Sequence, residues 1–258
     1  MSRPLQPLSA ETLAFLTPYL PPKDSSSATP HITLTYAQTL DSSLSLPGKQ
    51  IALSSPQTKV LTHHLRLHHD TILVGVTTAN VDDPGLNSRI EGATLEQQPR
   101  PIILDPRGRW NGHSGSRVIQ TAKRGEGKAP WVVTGELQGR PTWVEALEQV
   151  GGRWLQVPLE EDSRWTWSGL KKAFGKEGVT SVMVEGGAAV IDGILREEGE
   201  TGGIVDSLIV TVCPGFLGGE AVRVGPKFTG GRGLKTKDSA WGIVGNDAVL
   251  ASRVGGEF

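Results

Sequence analysis

One cysteine in 258 residues, Cys213, leaves no internal disulfide to build and points to a reducing compartment. It lies in an apolar run, where a thiol serves as a small core filler. Charge of one sign is also missing: 26 basic residues face 27 acidic ones, which removes the electrostatic case for nucleic acid or an acidic membrane surface. No apolar run approaches the ~18 residues of a membrane span, and the start of the chain lacks the basic and apolar segments of a signal peptide, so a soluble, cytoplasmic protein is expected. Two nucleotide fingerprints are absent. There is no G-x-G-x-x-G, and Lys123-Arg-Gly-Glu-Gly-Lys128 has the wrong spacing for a phosphate loop, with Ala129 where a hydroxyl is needed, so it reads as a solvated loop. A metal is not expected either. His63, His64, His68 and His69 crowd one segment, with His64 and His68 four apart on one helical face, but no carboxylate or cysteine is placed to complete a site, and a solvated helix face is expected. Internal repeats and coiled-coil heptads are missing as well.

What the chain has in quantity is glycine, 33 residues, and proline, 17, which favours short elements joined by tight turns. Ser9 caps a helix through Leu16 that Pro18 and Pro21-Pro22 end, and Lys23 to Pro30 is a Ser-rich linker. Residues 1–30 thus precede a single domain, 31–258. It opens with a strand from His31 to Ala37 and a loop from Gln38, then a helix that Ser55-Pro56 starts and that runs to about His69, with Val60, Leu61 and Leu65 inward. Further strands are expected at Thr71–Gly75, Pro101–Leu104, Trp131–Thr134, Leu155–Val157 and Ile204–Cys213, with helices near Trp143–Val150 and Trp167–Glu177. Glu197–Gly203 reads as an acidic loop, and Gly-rich loops with Ala248–Leu250 suggest one or two closing antiparallel strands. Strands alternating with helices, then strands alone, imply an α/β fold, a mostly parallel sheet with an antiparallel edge.

Two junctions carry chemistry. Thr180-Ser-Val-Met-Val184 is a strand that ends in Glu185-Gly186-Gly187-Ala188, after which Val190, Ile191, Ile194 and Leu195 recur at helix spacing. The first N–H groups of such a helix have no partner within it, and the glycines let phosphates approach the backbone; the same turn also occurs for packing alone. The second junction follows Gly75: Thr77, Thr78, Asp82, Asp83 and Pro84-Gly85 place hydroxyls, carboxylates and free N–H groups just past a strand's C-terminal end, where open α/β sheets bind ligands. An Asx turn that merely closes a loop is the alternative there.

Several segments together resemble the riboflavin-biosynthesis reductase family in its fungal type, which acts on 2,5-diamino-6-ribosylamino-4(3H)-pyrimidinone 5′-phosphate. They are Tyr36-Ala-Gln-Thr-Leu-Asp41, Ser55-Pro56, Leu65-Arg66, Ile72–Gly75 with Thr78 and Asp82-Asp83-Pro84, Leu104-Asp-Pro-Arg-Gly-Arg109, Val184-Glu-Gly-Gly187, and Cys213-Pro214 through Leu217-Gly218-Gly219. The resemblance, which is similar to that of the C-terminal half of bacterial deaminase-reductases, covers about His31 to Gly219 in the family's order. It implies a dihydrofolate-reductase-like fold, NADPH as cofactor, a homodimer, and reduction of a ribosylamino to a ribitylamino group by hydride transfer to C1′ of a ring-opened imine. Carried over by position, Ala37, Ala52, Thr78, Asp82, Gly186, Gly187 and Ala188 are expected to meet the cofactor. Arg66, Leu86 and Arg89 are expected to meet the substrate, the arginines through its phosphate, with Glu185 as its hydrogen-bond partner and candidate catalytic group. The chain departs from the bacterial Ser-Leu-Asp-Gly pattern, having Thr39-Leu-Asp-Ser42 instead. It also lacks the H-x-E and P-C-x-x-C signature of zinc deaminases, so a fused deaminase is not expected.

Three alternatives remain open at this level. One is reduction of the deaminated pyrimidinedione, another is dihydrofolate reduction, and the third is a nucleotide-binding protein of the same fold without catalysis.

Overall fold

The computed structural model describes residues 4–23, 27–48, 51–160, 164–228 and 233–257; parts of the Ser-rich linker and of the Gly-rich C-terminal loops lie outside them. Nine strands form the main sheet in the order β10-β11-β8-β1-β7-β3-β4-β5-β6. Its parallel part holds β1 (His31–Thr39), β3 (Thr71–Gly75), β4 (Arg100–Leu104), β5 (Trp131–Thr134), β6 (Arg153–Gln156), β7 (Ser181–Val184) and β8 (Ser207–Cys213). The hairpin β10 (Leu234–Val244) and β11 (Asp247–Glu257) continues it antiparallel beyond β8. A small second sheet pairs β2 (Ser43–Ser45) with β9 (Val222–Arg223). The expected mostly parallel sheet with an antiparallel edge is therefore present.

Helices cover both faces, which is why Thr71–Gly75 is buried throughout. Alternate residues go to opposite sides. Leu73, Val182 and Val184 pack with Leu170 and Phe174 of α6 (Trp167–Lys176) and with Ile191 and Ile194 of α7 (Ala188–Thr201). Ile72 and Val74 face Val76 and Ala79 of α3 (Val76–Asp82), Val118 and Ile119 of α4 (Arg117–Lys123), and Val144 and Leu147 of α5 (Trp143–Glu148). On that same side Met183 meets Leu61 and Leu65 of α2 (Pro56–Arg66). Leu16 of α1 (Ala10–Leu16) and Tyr19 close the cluster, so the N-terminal helix packs into the core.

The structure departs from the sequence reading in four places. First, α2 stops at Arg66, and His63 and His69 are buried, not solvated: His69 bonds Leu65 O at 2.7 Å and Thr33 Oγ1 at 2.8 Å. Second, the segment after Gly75 is helix α3 rather than a turn, and Arg117–Lys123 is a helix, α4, that the sequence reading did not place, with Ser116 at its N-cap position but making no side-chain cap. Third, most of the loop expected at Glu197–Gly203 is the last turn of α7, which ends at Thr201, so that only Gly202 and Gly203 lie beyond it. Its acidic residues cap other backbone: Glu198 is buried and accepts from the N–H groups of Gly203, Ile204 and Val205, while Glu197 accepts from Trp167 and Ser168 at the start of α6. Fourth, with those N–H groups committed to Glu198, β8 starts at Ser207 and not at Ile204.

Candidate functional site

Strand order places the site. From β3 the chain steps outward through β4, β5 and β6, whereas from β7 it crosses back over β1 to β8. The helix after β3 lies on one face of the sheet and the helix after β7 on the other. Two adjacent parallel strands whose crossovers diverge leave a crevice beyond their C-terminal ends, the position where open α/β sheets take ligands. Leu73 of β3 pairs with Val184 of β7, and Glu185 N–H donates to Leu73 O at 2.9 Å, so both junctions singled out in the sequence open into this crevice.

On the β7 side the chain turns through Gly186 and Gly187 into the 14-residue helix α7. Gly187 is the N-cap and no side chain caps the helix, which leaves N–H groups of its first turn for a ligand. Close approach requires glycine at 186 and leaves little room for more at 187. A Cβ on Gly186 would lie 2.4 Å from Val190 Cγ1, and one on Gly187 would lie 3.1 Å from Thr78 Oγ1. The second distance also shows that the Thr78 hydroxyl, in the first turn of α3, stands against the glycine turn. Asp82 follows Thr78 by one helical turn on the same face, half-buried, and desolvation raises its pKa.

Glu185, the residue before the glycines, is gripped by Arg66. The guanidinium Nε donates to one carboxylate oxygen at 2.9 Å and Nη2 to the other at 2.7 Å. The remaining Nη1 donates to Asn87 O at 2.9 Å. Arg66 is thus committed to holding a carboxylate and the loop after α3, although its sequence position suggested a phosphate ligand. A carboxylate has about four acceptor positions, so Glu185 keeps lone pairs for a donor in the crevice.

Arg89 is different. Among the described residues no carboxylate pairs with it, and its guanidinium faces His63 Nε2 from Nη2 at 3.1 Å and Nε at 3.4 Å. Its pKa is lowered by burial and then by its neighbours Arg66 and Arg117. Burial, Arg66 and Arg89 together press the pKa of His63 down to about 3, against a smaller opposing effect of the Asn87 carbonyl. Arg66 and Arg89 beside one neutral histidine, with Arg117 next to Arg89, make a place for an anion. Sequence reading missed His63 and Arg117. The available signal for His63 was its position three residues before Arg66, one turn away on the same face of α2.

The other expected residues stand as follows. Ala37 is half-buried on β1, three positions beyond Leu34, the partner of Val184, and so lies at the rim of the crevice. Ala188 is the first residue of α7. Ala52 is exposed on the coil before α2. Leu86 is a correction: at 2 % exposure its side chain sits in the core with Ile72 and Trp110, so only its backbone can meet a ligand. It adopts φ 56°, which holds the loop between α3 and Arg89 in a fixed turn. In the turn between β1 and β2, Ser42 stands where the bacterial pattern has glycine and adopts φ 59°, the left-handed conformation a glycine favours. Asp41 ties the turn down by accepting from Thr39 Oγ1 and from Gly218 N at 2.9 Å, contacts that hold its carboxyl far below the usual range.

Comparison with known proteins follows the same outline. Residues 30–250 match the family described as the RibD C-terminal domain. A 2,5-diamino-6-ribosylamino-4(3H)-pyrimidinone 5′-phosphate reductase of Eremothecium gossypii is 40% identical over 97% of this chain and 99% of its own length. The protein of the same name from Saccharomyces cerevisiae is 36% identical over 97% and 98%. The solved structure of a Saccharomyces cerevisiae riboflavin biosynthesis reductase superposes with a TM-score of 0.78 at 34% identity, covering 95% of this chain and all of the other.

Proposed function

The chain belongs to the RibD C-terminal domain family, and from that membership we propose that it is a 2,5-diamino-6-ribosylamino-4(3H)-pyrimidinone 5′-phosphate reductase of riboflavin biosynthesis that uses NADPH. The ribosylamino group opens to an imine, C1′ gains a hydride and the imine nitrogen gains a proton, leaving a ribitylamino group. One observation carries the reading: Glu185 directly precedes the Gly186-Gly187 turn, so a substrate held by Glu185 lies beside a dinucleotide held by that turn.

The residues present fit such a dinucleotide. The uncapped start of α7 offers N–H groups to a pyrophosphate, and the space a Cβ would fill at Gly187 is bounded by the Thr78 hydroxyl. Ala37, Ala188 and Asp82 frame the same crevice end, with Ala52 on the coil leading to α2 completing the proposed contacts. When bound, the cofactor supplies the hydride, the chemistry that these side chains lack. What the chain does is position. Arg66 fixes the Glu185 carboxylate, which accepts a hydrogen bond from the substrate and orients the open chain; Arg89 takes the phosphate; the Leu86 turn sets Arg89 at the crevice.

The proposal extends to assembly and place. Residues 31–258 form the reductase unit, with the N-terminal helix docked on it. A homodimer is supported by Trp241 and Ile243, 63% and 77% exposed on the edge strand β10, and a cytoplasmic location by the single reduced cysteine. No helix among the described residues is long and apolar enough to cross a membrane.

The test is turnover by purified protein, followed at the nicotinamide absorbance band, with the diaminopyrimidinone phosphate, its deaminated counterpart and dihydrofolate, each with NADPH and NADH. Oxidation of NADPH with the diamino substrate above all others is expected. Equal or better use of the deaminated compound would overturn the substrate assignment, and binding without absorbance loss would reduce the chain to a nucleotide-binding protein.

A further inference from the structure

His63 makes contacts that a neutral imidazole cannot satisfy. Its Nδ1 lies 3.0 Å from the backbone N–H of Arg89, and its Nε2 lies 3.1 Å from Nη2 of the same residue's guanidinium. Both neighbours are donors, yet a neutral ring has one lone pair and one N–H. The backbone N–H has a fixed direction and a single acceptor in reach, so Nδ1 keeps its lone pair for it and the ring proton sits on Nε2. That leaves Nε2–H and a guanidinium N–H facing each other with no acceptor between them. A second proton on the ring would add a donor and a charge, which burial and the adjacent Arg66 oppose.

The ring is built in. His63 is buried, its carbonyl accepts from Ser88 Oγ at 2.8 Å, and Ser88 is itself held by Gln98, whose Oε1 accepts from Ser88 N and whose Nε2 donates to Ser88 O. The one acceptor turned toward the cluster, Asn87 O, is shared: it takes Nη1 of Arg66 at 2.9 Å and also bears on the His63 ring, which fills its two lone pairs and leaves none for the Arg89 guanidinium. Arg117 adds further positive charge beside Arg89. Two opposed donors in a fixed frame, among three guanidinium groups, are satisfied together by one anionic oxygen.

We propose that His63 is a further ligand of the substrate's phosphate, its Nε2–H donating to the phosphate oxygen that the Arg89 guanidinium also binds. This rests on the reading of the crevice as the site of a phosphorylated substrate. It assigns a neutral hydrogen-bond donor to a pocket otherwise read as arginine alone, and gives Arg66 the separate task of holding Glu185.

The test uses inorganic phosphate as a probe and two substitutions. His63→Asn keeps an acceptor near the Arg89 backbone N–H but removes the distal donor; His63→Gln restores a donor near the position of Nε2. In His63→Asn, KM for the pyrimidine phosphate and the inhibition constant for inorganic phosphate are expected to rise together by about tenfold or more, with kcat within about threefold. His63→Gln is expected to recover most of that loss. In the unsubstituted protein, imidazole ¹⁵N spectra should show His63 protonated at Nε2, with a resonance that shifts saturably on phosphate addition. Unchanged constants in a folded His63→Asn protein, or an Nε2 without a proton or without a response to phosphate, would overturn the proposal. The spectrum decides even where a variant fails to fold. Failure of the reductase reading itself shows differently, as absent turnover in the unsubstituted protein.

Discussion

Breaking the Arg66–Glu185 pair should cost stability in a way that the pair's own geometry dictates. Both N···O contacts are short, the carboxylate is held through two nitrogens, and the side chains are only 13% and 19% exposed. Removing one partner of a buried pair typically costs about 3–5 kcal/mol because the other charge is left without compensation; with a fifth of Glu185 still wet, about 3 kcal/mol is expected for Arg66→Met and for Glu185→Gln alike. For a chain of this size that corresponds to a fall of about 6–12 °C in Tm. The double variant removes both charges and should cost little more than either single one, a coupling of about 2–3 kcal/mol. Urea unfolding of the four proteins at pH 7 in low and high salt measures the cycle, and because the pair is shielded, salt should change the coupling little. If the two single effects add to within about 0.5 kcal/mol, the pair is not a structural strut and Arg66 is free to serve as the phosphate ligand its position first suggested.

Arg89→Ala should raise KM for the phosphorylated substrate by at least about tenfold while kcat changes little, as steady-state kinetics will show; an equal fall in kcat would place Arg89 at the reacting centre instead. Gly186→Ala sets a methyl 2.4 Å from Val190 Cγ1 and 2.5 Å from Val190 Cβ and should lower both Tm and NADPH affinity; because alanine keeps the Cβ at position 190, adding Val190→Ala should recover little of the Tm, and a full recovery in thermal unfolding would refute the Cβ contact as the cause. His63 and His69, with folded pKa values pressed to about 3 by burial, stay neutral in the fold while the unfolded chain protonates near 6.5. Stability present above pH 6.5 is therefore lost as pH falls toward 3, by at most about 3 kcal/mol per pH unit for the two together; urea midpoints that stay level from pH 7 to 4.5 would contradict this. Glu198→Ala leaves three backbone N–H groups without their acceptor and should cost about 3 kcal/mol in urea unfolding, with an effect under 1 kcal/mol showing that water replaces the carboxylate.

Much of this architecture was legible because the strands are short apolar runs between glycines, and β3, β5 and β7 emerged at or within one residue of their expected bounds. The Glu185-Gly186-Gly187 turn was legible because close approach needs glycine. α3 was not: its seven residues carry two threonines and no side-chain cap, and only Val76 and Ala79 point inward, too little for a period to show. The end of α7 hid behind its acidic residues, whose partners are N–H groups at the next turn and at the start of another helix. The roles of His63 and Arg66 were hidden for a related reason. Histidine and arginine on a helix look solvated until the loop carrying Asn87 and Arg89, and the end of β7, are brought against them, contacts that span 21 to 119 residues of sequence.

The position of β7 also bears on how the chain matures during synthesis. Strands β1 and β3 do not pair with each other; β7 lies between them, and the other neighbour of β1 is β8. The first strand of the sheet therefore has no native partner until Ser181–Val184 and Ser207–Cys213 have been made, some 150 residues later. A nascent chain of 170 residues can assemble β3 to β6 but carries β1 unpaired, an edge open to association with other chains. Insertion of one four-residue strand joins β1 to β3 and, in the same event, delivers Glu185 to Arg66, so an assembled crevice certifies that β1, β7 and β3 have come together.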